Sequence, residues 1–199
     1  MVKDRPFVHL HVHSDFSVLD GALRISDAVA KASEWQMPAL ALTDHGNLHG
    51  AISFYRTARK AGVKPIIGME AYITPGRMSD KTKTEGRGGE NLYHLMLLAE
   101  NEVGYRNLIA LSSQAYLEGF YYKPRLDKEL LALHADGLIA MTACLKGEVP
   151  SRIAESEFDK ARTVCGQYCD IFGRDSLYLE VQENGIPDQR VVNEGLIKL

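Results

Sequence analysis

Phe7-Val8-His9-Leu10-His11-Val12-His13-Ser14-Asp15 alternates apolar residues with histidine. Successive side chains of a strand point to opposite faces. The pattern therefore predicts a strand with His9, His11 and His13 on one face and Val8, Leu10 and Val12 on the other. Three imidazoles in a row are costly in a plain core, because each ring keeps a polar nitrogen to satisfy. Imidazole is also the commonest protein metal ligand, which makes this strand a candidate metal site. Taken alone, a solvated strand face is the plainer alternative.

Outward from that strand, helical and strand patterns alternate. Ser26 can cap a helix carrying Ala28, Val29, Ala32 and Trp35 at helical spacing. Ala39 to Thr43 is a short apolar strand that runs into Asp44-His45-Gly46-Asn47, and Asn47 can cap the next helix, which Gly62 closes. Lys64 to Thr74 reads as a third strand and Leu92 to Ala99 as a fourth. Gly137 to Thr142 is a fifth and Leu177 to Val181 a sixth. Asp127 caps a short helix, a longer one spans Glu157 to Phe172, and Pro187 opens the last. Pro75 to Asn91, rich in Gly, Lys, Ser, Thr and Arg, is expected to be a mobile loop whose Lys81, Lys83 and Arg87 are free to meet a phosphate backbone. Short apolar strands alternating with helices predict an α/β protein with a parallel sheet or barrel.

At 199 residues the chain can bury one sizeable core, and its 45% hydrophobic and 25% charged content is that of an ordinary globular protein. A formal charge of −3 gives no general attraction for nucleic acid, so such contact has to come from a local basic patch or from bound metal. Cys144, Cys165 and Cys169 form no disulfide-like framework, which fits a reducing, cytoplasmic location. The N-terminus has no signal-peptide core, and no apolar run is long enough to span a membrane.

The polar residues that break the pattern gather within strands or at their C-terminal ends. They are His11 and His13 on the first, His45 after the second, Glu70 on the third, His94 on the fourth and Cys144 after the fifth. Active sites of α/β folds collect at that end. A single His or Glu there is ordinarily surface or hydrogen-bonded core, and a single Cys is ordinarily a small buried hydrophobe. Six residues of metal-ligand type on successive strands are hard to explain as packing.

These residues and the strings around them resemble PHP (polymerase and histidinol phosphatase) domains. The strings are His-Leu-His-Val-His-Ser-Asp-Phe-Ser-Val-Leu-Asp-Gly, Ala-Leu-Thr-Asp-His-Gly-Asn-Leu and Lys-Pro-Ile-Ile-Gly-Met-Glu-Ala-Tyr. Among such domains they are most similar to those at the N-terminus of bacterial replicative DNA polymerase III alpha subunits. The resemblance runs through nearly the whole chain, including Ala-Tyr-Leu-Glu-Gly-Phe-Tyr-Tyr-Lys-Pro-Arg and Gly-Leu-Ile-Ala-Met-Thr-Ala-Cys-Leu. It implies a distorted barrel of seven strand–helix units with up to three divalent metals in its mouth. His11, His13 and Glu70 would hold one. Glu70 would bridge to a second held by His94 and Cys144, and Asp20 and His45 would take a third. Imidazole with thiolate suits zinc, with manganese and iron as alternatives. Glu70, His13 and His94 would be the catalytic residues. His9 would lie behind the ligands or inside the barrel, Asp44 behind them too, and His49 and His134 on the surface. Members of the family end the ligand set with an Asp-x-His on a seventh strand. The chain stops at Leu199, before any such motif, so residues 1–199 are expected to be a PHP domain lacking its C-terminal part, from a longer polymerase.

The activity implied is metal-dependent phosphoester hydrolysis, which beside a polymerase means 3′–5′ exonuclease proofreading of a DNA 3′ end. Implied partners are DNA, the rest of the polymerase chain and replisome subunits such as a clamp or a proofreading subunit, with no membrane. One competing expectation is a catalytically silent, metal-stabilised scaffold that docks the polymerase body or a proofreading subunit. The other is a free-standing phosphoesterase like a histidinol phosphatase.

Overall fold

A computed structural model describes residues 7–81 and 92–199. The elements run α1 (Ile25–Glu34), β1 (Ala39–Leu42), α2 (Ala51–Lys60), β2 (Lys64–Ile73), β3 (Tyr93–Ala99), α3 (Glu102–Leu117) and β4 (Arg125–Leu126). They continue with α4 (Lys128–Leu133), β5 (Leu138–Met141), α5 (Glu148–Ala154), α6 (Phe158–Phe172), β6 (Leu177–Tyr178) and α7 (Pro187–Lys198). The sheet order is β1-β2-β3-β5-β6, with β4 paired to the end of β2.

β2 is the spine. It pairs in parallel with β1 through Ala39↔Lys64 to Leu42↔Ile67, and in antiparallel fashion with β3 through Gly68↔Leu98 to Ile73↔Tyr93. Period-two alternation divides these two strands by face. Met69, Ala71 and Ile73 of β2 and Leu95 and Leu97 of β3 join Leu108 and Leu111 of α3 and Tyr168 of α6 in the main core. Glu70, Tyr72, His94 and Met96 alternate with them, and the register Glu70↔Met96, Tyr72↔His94 makes Glu70 and His94 diagonal neighbours on the opposite face.

The predicted strands at 39–43, 64–74, 92–99 and 137–142 are present with boundaries shifted by a residue or two. The Asp127 cap, the Gly62 helix end at φ +75° and the Pro187 helix start are also present. The sheet is mixed, not parallel, because β2 leads to β3 and β5 also runs antiparallel to β3. The expected strand at 177–181 is two residues long, and α5 and β4 were not foreseen.

Caps differ too. Ser26 lies inside α1, whose N-cap is Arg24, and Asn47 instead organises the turn before α2 by accepting from His49 N and donating to Phe16 O. Of the expected loop, Lys81 is described but 82–91, with Lys83 and Arg87, lie outside the described residues. Its first part is tied down: Met78 N donates to Asp127 Oδ2, and the buried Arg125 guanidinium donates to the carbonyls of Met78 and Asp80.

The histidine-bearing segment is not a regular strand. Ala41 N donates to His9 O and Thr43 N to Val12 O, so three residues on one side span two on the other, as in a bulge. The Thr43 hydroxyl accepts from Val12 N and fills the gap. The bulge breaks the predicted alternation: His11 and His13 are half-buried while His9 is exposed and meets the Phe7 ring edge-on. His9 is therefore neither in a barrel interior nor behind the ligands.

Candidate metal centre

Register brings the ligand-type residues together. Beyond β1 the pairing to β2 resumes as a bridge between His45 and Glu70. Gly46 N donates to Glu70 O at 2.8 Å and Glu70 N to Asp44 O at 3.1 Å, so the two residues are locked side by side. Gly46 makes this turn at φ +63°, where a Cβ would lie 2.8 Å from Pro124 Cγ. A bridge between His94 and Gly147 brings the loop after β5 alongside β3. Ala143, at φ +59°, turns that chain into Cys144, a left-handed conformation unusual for a residue with a Cβ.

Glu70 is the centre, 1% exposed. Its Oε1 lies 2.9 Å from His94 Nδ1 and 3.5 Å from His11 Nε2. Its Oε2 lies 2.8 Å from His45 Nδ1 and 3.1 Å from His13 Nε2. Cys144 Sγ is 3.9 Å from Glu70 Oε1 and 3.8 Å from His94 Nδ1. His11 and His13 face each other through Nε2 atoms 3.1 Å apart, and the His13 and His45 rings stack at 4.1 Å. Asp20, exposed on its loop, reaches His45 Nε2 at 3.1 Å.

All seven expected ligands thus converge on one cleft. His11, His13 and Glu70 form one group able to hold a cation, and His45, Glu70 and His94 form another. His45 faces both ways, with Nδ1 toward Glu70 and Nε2 toward Asp20, so it is not confined to the Asp20 pair as expected.

Charge follows from this packing. Burial opposes ionisation of His11, but its bonds to Glu180 and Glu70 outweigh that and raise its pKa to about 10. Burial would also raise the Glu70 carboxyl, yet the surrounding His11, His13, His45 and His94 hold it far below the usual carboxylate range. Burial, then the Glu70 charge, pushes the Cys144 thiol up to about 11. A bound cation reverses that logic, since a coordinating thiol gives up its proton.

The donor set fits divalent metal. His45 Nδ1 and Glu70 Oε2 are buried and neither has a hydrogen-bond partner, although they lie 2.8 Å apart. Buried polar atoms are rarely left in that state. Donor atoms crowded together without hydrogen-bond geometry suit a shared cation, and the mix of imidazole, carboxylate and thiol suits zinc or a neighbouring transition metal.

Asp44 lies behind the ligands, as the resemblance implied, but the serines that it binds escaped the sequence reading. Asp44, buried, accepts from Ser14 N at 2.6 Å and from the Ser14 and Ser17 hydroxyls at 2.8 Å each. Ser17 Oγ in turn accepts from His45 N, so these two serines, read only as loop, brace the His13 and His45 backbones. His134, expected on the surface, is half-buried between Asn107 and Gln114, whereas His49 is exposed as expected. Glu180 was also missed: its Oε1 lies 2.8 Å from His11 Nδ1. Its signal was a carboxylate between Leu179 and Val181 in an apolar run, the same signal that picked out Glu70.

A mixed α/β sheet crowds histidines and a carboxylate at its strand ends, the arrangement of a domain able to hold metal. The PHP domain profile matches residues 9–184, and the chain belongs to that family. Curated relatives include DNA polymerase III alpha subunits. It is 52% identical to that of Borreliella burgdorferi over 96% of the chain, 51% to that of Aquifex aeolicus over 100%, and 47% to that of Thermus aquaticus over 96%. The chain spans only 16 to 17% of those relatives' length. Among solved structures, a protein from Bifidobacterium adolescentis assigned as a metal-dependent phosphoesterase superposes with a TM-score of 0.54. That match covers 98% of this chain and 85% of the other, and at 13% identity it speaks to the fold alone. No helix among the described residues is long and apolar enough to cross a membrane.

Proposed function

We propose that residues 1–199 are the N-terminal PHP part of a cytoplasmic DNA polymerase III alpha subunit, and that the cluster hydrolyses phosphoesters. The substrate would be a DNA 3′ end, and the activity 3′–5′ proofreading. The observation that carries this reading is Glu70, buried where four imidazoles meet and with one oxygen lacking any hydrogen bond. His11, His13 and Glu70 would hold one metal, Glu70, His94 and Cys144 a second with His45 alongside, and Asp20 with His45 a third. Such ions would polarise a phosphoryl oxygen and lower the pKa of a water. The chain's own part is to orient the ligands and, through Glu70, to join two of the sites. The relatives' printed names support the polymerase assignment and weigh against a free-standing histidinol phosphatase.

A scaffold role remains the second reading, favoured by the way the cluster draws on nearly every strand of the sheet. Metal analysis and a 3′–5′ exonuclease assay on the full-length protein separate the two. Bound metal with strand shortening is expected. Bound metal with no hydrolysis would leave the scaffold, and absence of metal would end both.

A further inference from the structure

Glu180 and Gln182 lie beyond β6, at the end of the sheet farthest from the histidine segment. Glu180 nevertheless meets His11 across the cleft, with Oε1 2.8 Å from Nδ1. A carboxylate accepts there, so Nδ1 carries a proton, and Nε2, the nitrogen that faces Glu70 and His13, is the one left to meet a cation. Gln182 Nε2 donates to the same Glu180 oxygen at 2.7 Å. Gln182 Nε2 is also 3.4 Å from His11 Nδ1, but two donors cannot bond each other, so its hydrogen goes to Glu180.

The pair is held rigidly. Glu180 N donates to Thr142 Oγ1 at 2.9 Å, anchoring it to the end of β5. Asn193 of α7 holds the Gln182 backbone on both sides, donating to its carbonyl at 2.6 Å and accepting from its N–H at 3.3 Å. The buried Gln189 donates to Asn193 Oδ1 at 2.9 Å. An unbroken set of hydrogen bonds therefore runs from α7 through Asn193, Gln182 and Glu180 to His11.

We propose that Glu180, held by Gln182 and Asn193, is a positioning residue. It fixes His11 in the tautomer and ring orientation that present Nε2 to a divalent cation shared with His13 and Glu70. The proposal rests on the metal-binding reading above and assigns Glu180 no contact with metal or substrate. Carboxylate partners of ligating histidines tune metal affinity by about 10–100-fold.

The test uses zinc as probe and the full-length protein, following zinc retained per chain against a competing chelator. Wild type is compared with Glu180→Leu, Glu180→Gln and Glu180→Asp, and folding of each stripped protein is checked by circular dichroism. Glu180→Leu is expected to weaken one zinc about 10–100-fold while leaving the Glu70–His94 zinc in place. Glu180→Gln keeps an acceptor at the same reach and is expected to restore retention nearly to wild type. Glu180→Asp keeps the charge but withdraws the carboxylate by one methylene, and is expected to behave like Leu. Should Glu180→Leu misfold, the Gln and Asp variants carry the same contrast. Equal retention in all four proteins would overturn the positioning role and spare the metal reading. Loss in Glu180→Gln as deep as in Glu180→Leu would make Glu180 a ligand or a pure charge effect, and would also overturn it. A wild type that retains no zinc would overturn the metal reading itself.

Discussion

His45 Nδ1 and Glu70 Oε2 lie 2.8 Å apart, both buried, with no hydrogen bond between them. Neither can retreat, because the backbones on either side are hydrogen-bonded to each other through Gly46 N, Glu70 O, Glu70 N and Asp44 O. The sheet therefore enforces a contact that a shared cation would relieve.

Glu70 belongs to both groups of candidate ligands. Glu70→Ala in the full-length protein is expected to release metal from both groups and reduce phosphoester hydrolysis to background, while DNA synthesis stays near wild type. Metal content, an exonuclease assay and a primer-extension assay on the same preparation check this. Undiminished strand shortening would place the active site elsewhere.

The metal-stripped domain is expected to weaken as pH rises. His11 has a folded pKa raised to about 10, against an ordinary value of 6.5. A raised pKa contributes stability that is complete below about pH 6.5 and is lost progressively as pH climbs toward about 10. Glu70, shifted down, works in the opposite sense, and its contribution declines progressively as pH falls below about 4.5. Urea unfolding in chelator should therefore show the gap between wild type and His11→Gln shrinking from pH 6 to pH 10. A gap that stays constant would contradict the His11 shift.

Gly46→Ala meets two obstacles. Its φ of +63° disfavours a Cβ, and the added atom would lie 2.8 Å from Pro124 Cγ and 3.1 Å from Tyr72 Cε2. Left-handed backbone and overpacking together are expected to cost about 2 kcal/mol of unfolding free energy. The turn that carries His45 should shift with it, lowering metal retention. A stability change under about 0.5 kcal/mol, the range of neutral surface substitutions, would show that the turn adapts.

Asp44→Ala strands three donors, Ser14 N, Ser14 Oγ and Ser17 Oγ, at a residue only 2% exposed. Unsatisfied buried groups cost roughly 1–3 kcal/mol each, and some recover water, so a loss of about 3 kcal/mol is expected in denaturant unfolding. Asp44→Asn retains acceptor capacity on one oxygen and should recover part of it. Equal losses in both variants would mean that the carboxylate charge, not the bonds, holds the loop.

Local chemistry carried much of this domain into view before any coordinates. A glutamate in the middle of Ile66-Ile67-Gly68-Met69-Glu70-Ala71-Tyr72 has to share a partner, and histidines at successive strand ends supply it. Strand positions followed from apolar runs, and Gly62, Asp127 and Pro187 marked helix ends through their own backbone preferences. Those properties belong to single residues and near neighbours, so one dimension suffices to read them.

Pairing does not. Apolar periodicity says which residues share a face but not which strand lies alongside, so the antiparallel β2–β3 and β3–β5 pairs emerged only in three dimensions. The bulge opposite Thr43, which exposes His9 while keeping His11 and His13 half-buried, depends on a hydroxyl 31 residues away from Val12. Register likewise set His45 Nδ1 against Glu70 as well as turning Nε2 to Asp20. Residue types at strand ends determined that a cleft able to hold metal would exist. Only the curl of the sheet, which brings Glu180 within 2.8 Å of a histidine 169 positions earlier, decided which atoms meet there, because contact across a fold depends on the path of the whole chain between them.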